Sequence, residues 1–135
     1  MIGGGVVSKE MLNELGQINI ADEVVGIIAG KAASECYGLV GMAARRLQDG
    51  IAQLLGQDNL NRGVEVAITE DGVNITLYII VQYGVRISEV AHNVMERVRY
   101  ALDSMVGLHI NRIDVVVQGV RVVAKQDQDV KKRVV

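Results

Sequence analysis

Residues 64–82 contain two runs of alternating apolar and polar residues joined by Asp71-Gly72. In the first, Val64, Val66 and Ile68 alternate with Glu65, Ala67 and Thr69. In the second, Val73, Ile75, Leu77, Ile79 and Val81 alternate with Asn74, Thr76, Tyr78, Ile80 and Gln82. A period of two marks a strand with one face in a core, and Asp-Gly supplies the positive φ of a tight turn, so the segment predicts a β-hairpin. After Tyr83-Gly84 the period changes to 3.6. Ser88 stands where an N-cap would, and residues 89–106 predict a long helix with the apolar stripe Val90, Ala91, Val94, Met95, Val98, Ala101, Leu102 and Met105. Gly107 is a natural stop. A last strand is expected over 110–117, or on to 122, with Ile113, Val115 and Val117 inward. The fold class is therefore α+β: a small mixed sheet built on a β-hairpin plus the helix-linked last strand, with helices packed on one face.

The first half is less regular. Residues 1–15 read as a flexible leader with a Gly3-Gly4-Gly5 run, in which Met11, Leu12 and Leu15 form one amphipathic turn. A short strand over 17–20 precedes a helix over 22–36, where Asp22 and Glu23 favour the positive end of the helix dipole. Val24, Ile27, Ile28, Lys31 and Ala32 follow helical spacing. Gly26 and Gly30 share one face of this helix. Each glycine costs about 1 kcal/mol against alanine in a helix interior, so the pair points to close approach of another backbone. Gly38 ends the helix. A strand over 39–43, a short helix over 45–55 with Leu47, Ile51, Leu54 and Leu55 inward, and a loop over 56–62 are expected next. Residues 16–123 form one domain, and 124–135 a charged, flexible tail.

At 135 residues the chain can bury a core without disulfide or metal. That core lacks Phe and Trp and must be built of Val, Ile, Leu, Ala and Met. The single cysteine excludes an intramolecular disulfide and fits a reducing compartment. Two histidines and one cysteine cannot furnish a four-ligand Cys/His zinc site, and no cofactor motif is present. The net charge is -2, with Arg121, Lys125, Lys131, Lys132 and Arg133 gathered at the end, so the body is acidic and ill-suited to general nucleic-acid binding. The most apolar stretch, 20–44, carries Asp22, Glu23, Lys31 and Glu35, too many charges for a lipid-facing helix. With no signal-like start, the reading is a cytoplasmic protein.

Candidates for chemistry are few. Cys36 ends an apolar helix and reads as a buried structural cysteine rather than a nucleophile. His92 and His109 have no partner visible in sequence. The Gly38-Leu39-Val40-Gly41 segment, set between helix and strand, is the alternative reading: a KH-like RNA-binding module would clamp a backbone with such a loop. Its apolar inner residues favour a buried strand instead. On the second face of the hairpin, Tyr78 and Ile80, with Val116 beside them, are either an association surface or are covered by the short helix or the leader.

The chain as a whole resembles the alkaline shock protein family of bacterial envelope-stress proteins, common in Gram-positive bacteria, in its compact branch. The matching stretches are GQINIADEVVGIIAGKAASECYGLVGMAAR, RGVEVAITEDGVNITLYIIVQYGVRISEVAHNVMERVRYAL and MVGLHINRIDVVVQGVRV, covering residues 16 to about 123. One departure is Ala21, where a Ser cap would be expected before the helix. The resemblance implies a small α/β domain with no catalytic residues and a role in cell-envelope homeostasis under stress. It also implies partners, a membrane anchor or a fatty-acid kinase of the dihydroxyacetone-kinase type, and self-association as a homo-oligomer is expected beside them. The expected function is thus non-enzymatic protein interaction, with Tyr78, Ile80, Glu89, Asn93, Glu96 and Arg97 as the surface. Lys131, Lys132 and Arg133 would add weak attraction to anionic lipid, giving peripheral contact with the inner face of the cell membrane. Metal and nucleic acid are not expected partners.

Overall fold

The computed structural model describes residues 8–12, 15–44 and 54–122. In chain order these form β1 (Ser8–Leu12), β2 (Gln17–Ala21), α1 (Asp22–Ser34), β3 (Leu39–Met42), a 3-10 segment (Gln57–Gly63), β4 (Val64–Thr69), β5 (Gly72–Gln82), α2 (Ile87–Met105) and β6 (Ile110–Arg121). β5 is the central strand. Along one edge it pairs in parallel with β6. Its other edge is shared end to end: β4 pairs antiparallel with Gly72–Leu77, and β3 pairs antiparallel with Ile79–Val81. The sheet is mixed, as expected. The parallel pair follows from β5–α2–β6, because parallel neighbours need a crossover long enough to hold a helix.

One face of β5 makes the core. Val73, Ile75, Leu77, Ile79 and Val81 are all wholly buried, against Val90, Val94, Val98 and Leu102 of α2 and Val25, Ala29, Ala32 and Ala33 of α1. Both helices thus cover the same face. The α2 stripe is an i, i+4, i+8, i+12 row, and it ends a residue later than the expected one. Met105 is 70% exposed, and Val106 is buried in its place, where the last turn closes through the Val106 and Gly107 N–H groups on the Leu102 carbonyl. The helix also begins earlier. Ile87 is its first residue and Arg86 its N-cap, with no side-chain capping bond, so Ser88 lies inside the first turn and is not the cap. The Ala21 departure from the expected Ser has its counterpart at α1, which likewise starts without a side-chain cap.

α1 buries small residues. Val24 and Ile27 are each 45% exposed, while Val25, Gly26, Ala29, Gly30, Ala32 and Ala33 are buried. The reason is the 3-10 segment, which takes the place of the expected loop over 56–62. Its Leu60 and Asn61 backbone runs against the two glycines, so a Cβ at Gly30 would sit 2.9 Å from Leu60 Cβ and one at Gly26 would sit 3.3 Å from Asn61 Cβ. Gly30→Ala is therefore expected to destabilise despite better helix propensity. Leu60 is itself buried and cannot swing away, and overpacking costs about 1–3 kcal/mol against a propensity gain of about 1 kcal/mol. A net loss of about 1 kcal/mol or more, larger than for Gly26→Ala, is the result to look for in urea unfolding.

Two other expectations change, and a third falls mostly outside the described residues. Ser8–Leu12 is a strand, paired antiparallel with β2 from Ser8↔Ala21 to Leu12↔Gln17, rather than part of an amphipathic turn. The alternation that betrays a half-buried strand is missing from SKEML, and the two strands form a separate two-stranded sheet anchored where Ile20 packs against the core. The hairpin turn places Glu70 and Asp71 between the paired residues Thr69 and Gly72, so the positive φ of 141° falls on the first residue of β5. Finally, the short helix expected over 45–55 lies outside the described residues from 45 to 53. Leu54, near its expected end, makes an antiparallel bridge with Ala43.

Candidate interaction surface

The residues singled out in sequence separate into three groups. Asn93, Glu96 and Arg97 come together. They lie on one face of α2 at i, i+3 and i+4, and with Tyr100 at i+7 they form one wall of an open groove of about 380 Å³. Cys36 and Tyr37, just past the end of α1, form the other wall. Tyr37 is 86% and Tyr100 72% exposed. Glu96 Oε1 lies 2.8 Å from His92 Nε2, one turn back. Among the described residues Arg97 forms no ion pair with a carboxylate. Glu89 stands apart at the start of α2, where it meets Arg86 at 3.6 Å in a solvent-exposed pair that contributes little.

The Tyr78/Ile80 face is not the surface expected. Ile80 is wholly buried. It stands between Gly41 of β3 and Gly119 of β6, which leave room for its side chain, and Leu54 lies over the Gly41 position. Tyr78 is half-buried on that face and its hydroxyl donates to Glu65 Oε1 at 3.3 Å. Lys131, Lys132 and Arg133 lie outside the described residues.

The Gly38–Gly41 segment has a structural role. Gly38 is the left-handed residue (φ 88°) that turns the chain from α1 into β3, and its carbonyl accepts the Gln82 N–H at 2.9 Å. Leu39, Gly41 and Met42 then pair with β5. A KH-type clamp needs free backbone in that loop, and here the backbone is inside a sheet, so the alternative reading fails at its site.

Tyr37 and Tyr100 are additions that the sequence reading does not contain. For Tyr100 a signal exists, since it completes the 93, 96, 97, 100 row. Tyr37 reaches the groove only through the packing of α1 on α2, which no local pattern reveals. Cys36 is buried, and its thiol donates to the Ala32 carbonyl at 3.8 Å. Burial pushes its pKa up; the neighbouring Arg97 guanidinium opposes that rise without cancelling it, and Glu35 adds to it. A raised thiol pKa means less thiolate at neutral pH, hence slow chemistry. Maleimide labelling of the native protein is expected to be at least about tenfold slower than of the unfolded chain. Equal rates would show that the thiol is open to solvent. Among the described residues no three His, Cys, Asp or Glu side chains cluster to hold a metal ion, and no helix is long and apolar enough to cross a membrane.

Fold and surface together define a class: a small α+β domain whose helical layer presents a tyrosine-walled groove. The chain belongs to the alkaline shock protein 23 family, described as having a cell envelope-related function, and the match covers residues 10–122. This establishes the family expected from the resemblance. The chain is similar to the uncharacterized protein YloU of Bacillus subtilis, with 44% identity over 117 residues, 86% of this chain and 98% of that one. It is 38% identical to the uncharacterized protein Spy1614 of Streptococcus pyogenes, over 82% of this chain and 92% of that one. It is also 38% identical to the uncharacterized protein YqhY of Bacillus subtilis, over 79% and 78%. No solved structure matches the chain.

Proposed function

We propose that this protein acts without catalysis, as an interaction module of the cell envelope that binds a partner protein through the Tyr37–Tyr100 groove. One observation carries the reading. The chain has only four aromatic residues, all Tyr, and two of them stand exposed on the walls of one groove that an arginine also lines. The core does not use either ring. Tyrosine and arginine are the side chains enriched at binding hot spots, because each adds contact area and a hydrogen-bonding tip at low entropic cost. The envelope role comes from the family. The partner classes to look for are those the resemblance implies, a membrane anchor or an enzyme of fatty-acid metabolism such as the fatty-acid kinase, and such a partner would bring a cytoplasmic protein to the inner face of the membrane.

The test is capture from lysate by the wild-type protein and by the Tyr37→Ala/Tyr100→Ala variant, with Tyr83→Ala as a control for an exposed tyrosine elsewhere. Tyr83 is 69% exposed and is not part of the groove. A specific partner lost by the double variant and kept by Tyr83→Ala is the expected result. A partner retained by the double variant moves the interaction to another surface.

A further inference from the structure

The charges in the groove are unevenly matched. Glu96 is engaged by His92, whereas among the described residues Arg97 forms no ion pair with a carboxylate. The Arg97 guanidinium stands beside the Cys36 thiol, and Glu35 acts on the same sulfur. One cation without a counter-ion is thus flanked by two acids, Glu35 and Glu96. A guanidinium fork takes a carboxylate in two parallel hydrogen bonds. The matching occupant carries a carboxylate for Arg97 and bases on either side of it.

This chain contains such a segment. Beyond Arg121 the sequence runs VVAKQDQDVKKRVV. Its acidic residues are Asp127 and Asp129, with Lys125 before them and Lys131, Lys132 and Arg133 after. That order is the inverse of the groove's.

The segment also starts close by. The Tyr83 N–H donates to the Arg121 carbonyl at 2.8 Å, and the Gln82 N–H to the Gly38 carbonyl at 2.9 Å. The end of β6 and the chain beside Tyr37 therefore flank the same end of β5, about 10 Å apart at two strand spacings. A Cβ at Gly38 would touch Val90, so that turn of α2 sits over the same end, and Arg97 lies seven residues, about 10 Å, further along the helix. Eight extended residues from Arg121 to Asp129 span up to about 27 Å, enough to cover both distances. We propose that the C-terminal segment of this chain occupies its own tyrosine groove, with the Asp127–Asp129 pair on Arg97. The proposal builds on the reading of the groove as the interaction surface: a partner must displace the segment, which lowers its apparent affinity until the segment leaves.

The test needs no partner. Proton–nitrogen NMR spectra of the full chain are compared with those of Asp127→Asn/Asp129→Asn, each with and without Arg97→Gln. Neither aspartate belongs to the core, so the fold should be unaffected. The Arg97 Nε–H and the amides of Tyr37, Asn93 and Tyr100 are expected to shift when the aspartates are neutralised, equally at low and high protein concentration, while β4 amides stay in place. With Arg97→Gln present, the same neutralisation should leave the groove amides where they are, because the coupling between the two sites is gone. Groove resonances identical in wild type and the aspartate variant overturn the proposal. So does a shift undiminished by Arg97→Gln, or one that grows with protein concentration, which would put the segment of a second copy in the groove. A groove that binds a partner without holding this segment would fail here and still pass the capture test.

Discussion

Leu77→Ala is expected to lower the unfolding free energy by about 3–4 kcal/mol, within the range of about 2–5 for a buried leucine. Leu77 is wholly buried at the middle of β5, with Val64 of β4 and Val115 of β6 as its cross-strand neighbours. Because β5 is bonded on both edges and roofed by two helices, little can move into the space left behind, so the cavity cost adds to the lost transfer energy. The core contains no Phe or Trp that could rotate to refill it. Urea unfolding followed by circular dichroism should show a lower midpoint with an unchanged slope. A cost under about 1 kcal/mol would mean that β5 is not the buried centre described here. Val116→Ala, on the partly exposed face of β6, is the contrast and should cost far less.

Gly38→Ala should cost a similar amount, about 2–4 kcal/mol, by a different route. A side chain at φ 88° costs about 1–2 kcal/mol for its left-handed backbone alone. The added Cβ would also stand 2.8 Å from Val90 Cγ2 and 3.3 Å from Val85 Cγ1, and Val90 is a buried member of the core. The strain falls where α1 hands the chain to β3, so the Gly38–Gln82 hydrogen bond is at risk as well. Unchanged unfolding in Gly38→Ala would contradict the packing described here.

The parts legible in sequence are those where one physical constraint dominates. In β4, β5 and α2, burial of a single face imposes a clear period, and the hairpin, the long helix and β6 follow within a few residues. α1 is legible as a helix but not in its orientation. Its buried face is lined by glycine and alanine because the 3-10 segment and α2 come close, while Val24 and Ile27 face outward. Size normally signals burial, and here proximity reverses that signal. The glycine pair does announce a neighbouring backbone, without identifying it as residues 60–61. Ile80 misleads for a related reason. Alternation assigns it to an exposed face, and the glycines on both neighbouring strands make that position a closed one. β1 is illegible because SKEML shows no alternation of apolar and polar residues, and its pairing with β2 lies outside the main sheet. In the groove, Asn93, Glu96 and Arg97 are readable as one helical face. Tyr37 is not, since its place depends on how two helices cross.

This division bears on function. Tyr37 and Tyr100 are large, exposed and unexplained by the core. They meet through the tertiary arrangement of the helical layer.

The most direct test of the groove places a photo-cross-linking amino acid at position 37 or 100 in living cells, with position 83 as the control. Adducts to one defined partner from positions 37 and 100, and none from 83, are the predicted result. Efficient cross-linking from 83 with none from 37 or 100 would contradict the assignment of the groove as the interaction surface.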